Sequence, residues 1–173
     1  MGLKRRYTAP SPRAYAGLDA VVVSPGGVAT TLLIEELSKR VRVNHVHDGD
    51  GLKHRPTPGD LPPQLKVIFV DGDFEDIFRS LNRRGFLAEQ LGKLGSALGP
   101  VLPESLAKEE LRSAVLRQRK AWEAIDGGRA LFVEFDNLWE ELPTIAAHVG
   151  LDPVAFTQSF PKRRSRQSQP EKA

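Results

Sequence analysis

Asp19-Ala-Val-Val-Val-Ser-Pro-Gly-Gly-Val-Ala-Thr-Thr31 is the stretch on which the reading of the fold turns. Val21 to Val23 are β-branched and follow Ala20, a run that predicts a short buried strand over about Ala20 to Ser24. Pro25, Gly26 and Gly27 then break it. Leu32, Leu33, Ile34 and Leu37 return at helical spacing and predict a helix from about Thr30 to Arg40. Strand, glycine turn and helix start together make a place for an anion. Backbone N–H groups converge in such a loop, and the helix N-terminus adds partial positive charge. The candidate anion-binding residues are Pro25, Gly26, Gly27, Val28, Ala29, Thr30 and Thr31. The plainer alternative is a strand-to-helix turn whose threonines only cap the helix. No lysine lies in the stretch, so side-chain charge must come from elsewhere.

Outward from this unit the pattern repeats. Residues 44 to 64 hold Gly49, Gly51, Gly59 and prolines at 56, 58, 62 and 63, which predicts a long irregular loop. Lys66 to Val70 reads as a second buried strand, followed by a helix from about Phe74 to Arg83. Further helices are expected over about Phe86 to Leu94 and Pro103 to Ile125, the latter ended by Gly127 and Gly128. Ala130 to Glu134 reads as a third strand, and Leu138 to Val149 as a final helix interrupted or started at Pro143. Continuous apolar strands alternating with helices predict an α/β fold, a short parallel sheet with helices on both faces. In such sheets the ligand lies beyond the carboxyl ends of the strands, so the loops after Val23, Val70 and Val133 are expected to line one site. The expected organisation is a flexible basic arm at 1–17, one α/β domain at 18–155, and a basic, disordered tail at 156–173.

A chain of 173 residues suffices for one domain with one core. With 40% hydrophobic and 27% charged residues it reads as soluble and globular. It has no apolar run long enough for a membrane span. The basic N-terminus runs into Pro10 and Pro12 rather than an apolar core, unlike a signal peptide. The absence of cysteine excludes disulfides and thiolate metal sites, and with the rest points to the cytoplasm. The net charge of +3 is concentrated at the ends, in Lys4 to Arg6 and Lys162 to Arg166. Aromatics are only 7% and do not interleave with the basic residues, which disfavours nucleic acid as a partner.

The phosphate-loop pattern G-x-x-x-x-G-K-[ST] laid over Ser24 to Thr31 keeps only Thr31. Four segments in order resemble instead the sulfotransferase family, P-loop-like enzymes that use 3′-phosphoadenosine 5′-phosphosulfate (PAPS). Ser24 to Thr31 resembles the family's P-K-S-G-T-T loop, with the lysine falling at Gly27. Asp50-Gly-Leu-Lys-His-Arg-Pro56 resembles the region read K-T-H-L-P, matching at His54 and Pro56. Lys66 to Ser80 resembles K-V-I-Y-V-x-R-N-P-x-D-x-x-x-S, matching at Asp76 and Ser80, with the arginine falling at Gly72. Leu131 to Leu138 is similar to the late strand x-V-x-Y-E-D-L. Ser-Pro-Gly-Gly-Val-x-Thr-Thr together with Asp-Gly-Leu-Lys-His resembles most closely a group of sulfotransferase-like proteins.

The resemblance implies a P-loop NTPase-like three-layer α/β/α fold and sulfuryl transfer from PAPS, without a metal, to an unnamed hydroxyl or amine acceptor. It implies His54 as base on the acceptor, Lys53 in place of the missing loop lysine, and the loop 25–31 on the 5′-phosphosulfate. Ser80, Arg79 and Arg84 would then face the 3′-phosphate. A neutral imidazole suits removing a proton from an alcohol near pH 7. The alternative is a non-catalytic nucleotide- or anion-binding module that has lost the activating lysine and the arginine. A magnesium-dependent phosphotransferase is a third reading, carried by Asp71 and Asp73. His45, His47, Asp48 and Asp50 hold metal-ligand chemistry, but a glycine-rich loop of polar residues reads first as solvated, and no metal is assigned. Trp122 and Trp139 read as core anchors. Oligomeric state has no signature in the sequence.

Overall fold

The computed structural model describes residues 12–28, 30–96, 103–125 and 127–163. Among these the strands are β1 (Ala20–Val23), β2 (Lys66–Asp71) and β3 (Ala130–Glu134). The helices are α1 (Thr30–Ser38), α2 (Phe74–Arg83), α3 (Leu87–Lys93), α4 (Glu104–Glu123), α5 (Leu142–His148) and α6 (Pro153–Ser159). The class is α/β. The three strands are parallel in the order β1-β2-β3, with Val22 opposite Ile68 and Ile68 opposite Leu131.

Side-chain alternation sends the strands' apolar residues to two faces. Val22, Ile68, Val70 and Val133 join a cluster with Leu33, Ile34 and Leu37 of α1, Ile77 and Leu81 of α2, and Leu111 of α4. Val21, Val23, Val67 and Phe69 pack on the opposite face with Trp122 of α4, Tyr15, Leu52 and Leu65. That face is therefore closed by the end of one long helix and by pieces of loop. Trp122 is fully buried, as a core anchor should be, and donates Nε1–H to the Arg55 carbonyl at 3.0 Å.

β1 lies at the edge of the sheet, yet all four of its residues are buried. The segment after α1 covers it. Arg42 O accepts from Asp19 N at 2.8 Å and Ala20 N at 3.3 Å. The buried Asn44 side chain then accepts from Val22 N at 2.8 Å and donates to Val22 O at 3.0 Å. A side-chain amide does the work of a fourth strand where an open edge would invite foreign pairing. At the carboxyl ends of β2 and β3, Arg119 of α4 donates Nη1–H to Asp71 at 2.7 Å and reaches Glu134 at 3.4 Å, joining both strands to the helix.

The ordered body exceeds the expected domain at both ends. A 3-10 turn over Pro12–Tyr15 places Tyr15 in the core, its hydroxyl donating to Pro58 O at 2.6 Å. Beyond 155, α6 continues to Ser159 and buries Phe156 and Phe160. The tail expected from 156 thus begins with a packed helix, because two aromatics four residues apart outweigh the basic composition that follows. The rest of the arm and tail, residues 1–11 and 164–173, lies outside the described residues. The last expected helix starts late: Phe135–Asn137 form a 3-10 turn, and α5 opens at Leu142 with Pro143 in its first turn, where a missing N–H costs nothing. Among the described residues no helix is long and apolar enough to cross a membrane.

Candidate functional site

A polar cavity of about 850 Å³ opens at the carboxyl ends of the strands, between the loop after β1, the loop 45–54, α2 and α3. Gly26, Gly27, Val28, Thr30, Thr31, Lys53, His54, Arg79, Ser80 and Arg84 all line it. The residues singled out from sequence therefore meet in one place, with two exceptions. Pro25 is buried beneath the loop, and its carbonyl accepts from Gln90 Nε2 at 2.7 Å. Ala29 lies outside the described residues.

The loop after β1 is built to stay open. Gly26 and Gly27 have φ of +93° and +77°, in the region that disfavours side chains. A Cβ at Gly26 would lie 2.9 Å from the Gln90 amide, and one at Gly27 would lie 3.1 Å from the backbone of Ile77 on α2. Ser24 Oγ accepts from Gly26 N at 3.3 Å and sits 3.4 Å from Thr30 Oγ1, which fixes the bend. The amides of Gly27, Val28 and Thr31 make no hydrogen bond among the described residues, and all three residues face the cavity. They are donors waiting for an acceptor, at the start of a nine-residue helix.

The loop after β1 contains no lysine of its own. At Gly27 a side chain would press on the Ile77 backbone at 3.1 Å and sit at a disfavoured φ of +77°. Lys53 arrives from the next loop instead. Its Nζ donates to Thr31 Oγ1 at 2.9 Å and to Val46 O at 3.0 Å. Lys53 is buried, and burial lowers its pKa, partly offset by the Asp48 carboxylate. Gly72, on which the resemblance puts the family's arginine, is crowded too: a Cβ there would lie 2.8 Å from Val28 Cγ1. Cations come instead from Arg79, Arg83 and Arg84 on and just after α2.

Among the described residues the His54 ring makes one hydrogen bond, Nδ1 to the Ser24 carbonyl at 3.0 Å. A carbonyl can only accept, so Nδ1 carries the proton and Nε2 keeps its lone pair. Burial pushes the imidazole down to about 4, against the opposing effects of that hydrogen bond and of Asp48. It is therefore neutral across the physiological range.

Two residues that sequence reasoning did not assign to the site hold its halves together. Asp48 is the one non-glycine residue with positive φ among the described residues, at +59°. Its carboxylate accepts from Lys53 N at 3.0 Å and pairs with Lys93 Nζ of α3 at 3.0 Å. Burial works against the Lys93 charge, but Asp48 and Glu89 hold its pKa above the usual lysine range. Gln90, one turn earlier on α3, is the residue that grips Pro25. Helix α3 thus ties the loop after β1 to the loop that presents Lys53 and His54. The signal for Asp48 was local, an Asp-Gly pair at a turn. Gln90 is 65 residues from its partner and had none.

Five cationic side chains line the cavity, Lys53, Arg79, Arg83, Arg84 and Lys93, against the carboxylates Asp48, Asp76 and Glu89. Arg79 is paired with Asp76 at 2.9 Å, and Arg84 Nε donates to Ser80 O at 3.0 Å. The surplus is positive and suits an anion. His45, one of the metal-type residues, has its Nδ1 accepting from His47 N and Gly49 N, so it folds its own loop. Among the described residues no group of three or more His, Cys, Asp or Glu could hold a metal ion. Compared with protein-family models, with curated proteins and with solved structures, the chain finds no match.

Proposed function

We propose that this chain is a sulfotransferase-like protein with a P-loop NTPase-like three-layer fold, acting in the cytoplasm on PAPS and a small-molecule or glycan acceptor bearing a hydroxyl or amine. The observation that carries the reading is the meeting of Lys53, Thr31 and His54 at one cavity: an ammonium at a helix N-terminus beside a neutral imidazole with a free lone pair.

PAPS bound there would supply an activated sulfuryl group. The amides of Gly27, Val28 and Thr31 would donate to the 5′-phosphosulfate oxygens, and Lys53 would balance charge as the sulfur–oxygen bond to phosphate breaks. His54 Nε2 would take the proton from the acceptor oxygen or nitrogen as that atom bonds to sulfur. Ser80 with Arg79, Arg83 and Arg84 would hold the 3′-phosphate. No metal is needed for these roles.

One specific observation favours a second reading, a non-catalytic anion-binding module. At both positions where the family carries a cation, Gly27 and Gly72, a side chain would crowd its neighbours, the Ile77 backbone and Val28 Cγ1. Calorimetric titration with adenosine 3′,5′-bisphosphate tests the shared site, and absence of binding overturns the PAPS reading. Binding without transfer of labelled sulfate to a broad acceptor panel would favour the module.

A further inference from the structure

Phe86 lines the cavity beside the arginines of α2 and is one of two phenylalanines there, with Phe135. It is 48% exposed and belongs to neither apolar cluster of the core. Leu106, Leu116 and Val154 are the other large apolar side chains exposed among the described residues, and none of them lines the cavity. Its position is nonetheless firmly set. α2 ends at Arg83, Gly85 turns the chain at φ +70°, and Phe86 N donates to Leu81 O at 3.0 Å. The Arg84 guanidinium lies 5.5 Å from the centre of the Phe86 ring, while its Nε is held by Ser80 O. Backbone and neighbour are fixed; much of the ring is left to solvent.

Holding an aromatic ring in water has a cost that packing into the core would remove. A ring beside a guanidinium offers what a planar ligand group needs, a flat π surface next to a cation. Loop amides, Lys53 and the arginines of α2 recognise only the anionic part of a ligand. Something must recognise the remainder, and Phe86 is 48% exposed, whereas Phe135, the other phenylalanine lining the cavity, packs against the core. We propose that Phe86, backed by Arg84, is a stacking subsite for a planar aromatic ring, either the nucleobase of the anionic ligand or the ring of an aromatic acceptor. This rests on the reading above that the cavity takes a nucleotide anion.

The full chain and its Phe86→Ala and Phe86→Trp variants test it, each checked by thermal denaturation. The probes are adenosine 3′,5′-bisphosphate, ring-free pyrophosphate, and 2-naphthol. The subsite predicts that Phe86→Ala weakens a ring-bearing probe by about tenfold or more. Phe86→Trp should retain it, and pyrophosphate should bind all three proteins alike. Loss confined to the adenosine compound identifies the nucleobase as the stacked ring, and loss confined to 2-naphthol identifies the acceptor. If both ring-bearing probes bind wild type and Phe86→Ala equally, the subsite is overturned and the anion site stands. If the bisphosphate fails to bind wild type while 2-naphthol binding depends on Phe86, the nucleotide reading falls and the subsite stands. Binding of neither ring-bearing probe to wild type overturns both.

Discussion

Lys53 Nζ donates to the hydroxyl of Thr31 at 2.9 Å across 22 residues of chain, which puts an ammonium at the N-terminus of α1 although the loop before that helix contains no lysine. Charge and glycine loop come from separate segments, and each can be tested alone. Lys53→Met keeps the length of the side chain and removes its charge. It should weaken adenosine 3′,5′-bisphosphate about tenfold or more, since hydrogen bonds to charged groups contribute about 1.5–3 kcal/mol. Unchanged affinity by calorimetry would remove Lys53 from the site.

His54 ties stability to pH. Its pKa is about 4 in the folded chain and near the ordinary 6.5 when unfolded. Above pH 6.5 both states are neutral and the group contributes nothing to the pH dependence. As pH falls below 6.5 only the unfolded chain takes up the proton, so stability is lost progressively until about pH 4. The loss amounts to about 3 kcal/mol at most. Denaturant titrations between pH 7 and 4.5 should show this slope in wild type and a flatter one in His54→Gln. Equal slopes would assign the pH dependence elsewhere.

The close approach of the anion loop to α2 makes an ordering prediction. Gly51 has φ of +70° and nothing within 4 Å of an added Cβ, so Gly51→Ala should cost only the left-handed penalty, about 1–2 kcal/mol. Gly27→Ala meets the same backbone penalty at φ +77° and also the Ile77 backbone at 3.1 Å. It should be the more destabilising by chemical denaturation. Equal losses would mean that α2 yields to the added methyl.

Asn44 closes the β1 edge, and Asn44→Ala should strip both partners from Val22. Leaving a buried donor or acceptor unpaired costs about 1–3 kcal/mol. The variant should therefore lose about 2 kcal/mol or more and show increased light scattering on heating. A stable, non-aggregating variant would show that water or the neighbouring backbone replaces the amide.

The strands and most helices could be read from sequence because each is encoded locally. Val21 to Val23 and Lys66 to Val70 are continuous apolar runs, and Pro103 with the Gly127-Gly128 pair brackets the long helix close to Glu104–Glu123. The site was legible in its loops for the same reason: glycines, threonines and a lysine-histidine pair are chemistry written in short stretches. What was not legible depends on approach in space. Nothing near Asn44 says that its amide faces Val22, nor does Gln90 announce the Pro25 carbonyl. Charge composition misled at the tail, where Phe156 and Phe160 bury despite the arginines that follow.

The grip of Arg119 on the strand ends bears on the carboxylates at the end of β2 and just after it. A magnesium-bound nucleotide needs carboxylates free to take up the hydrated ion. Asp71 instead has one oxygen on Arg119 at 2.7 Å and the other on Gly72 N at 2.9 Å. Asp73 accepts from Asp76 N as the cap of α2. An ion drawing on Asp71, or on the capping oxygen of Asp73, would compete with the strand-end pair or the helix cap. These two carboxylates serve as scaffolding, one for the end of a strand and one for the start of a helix.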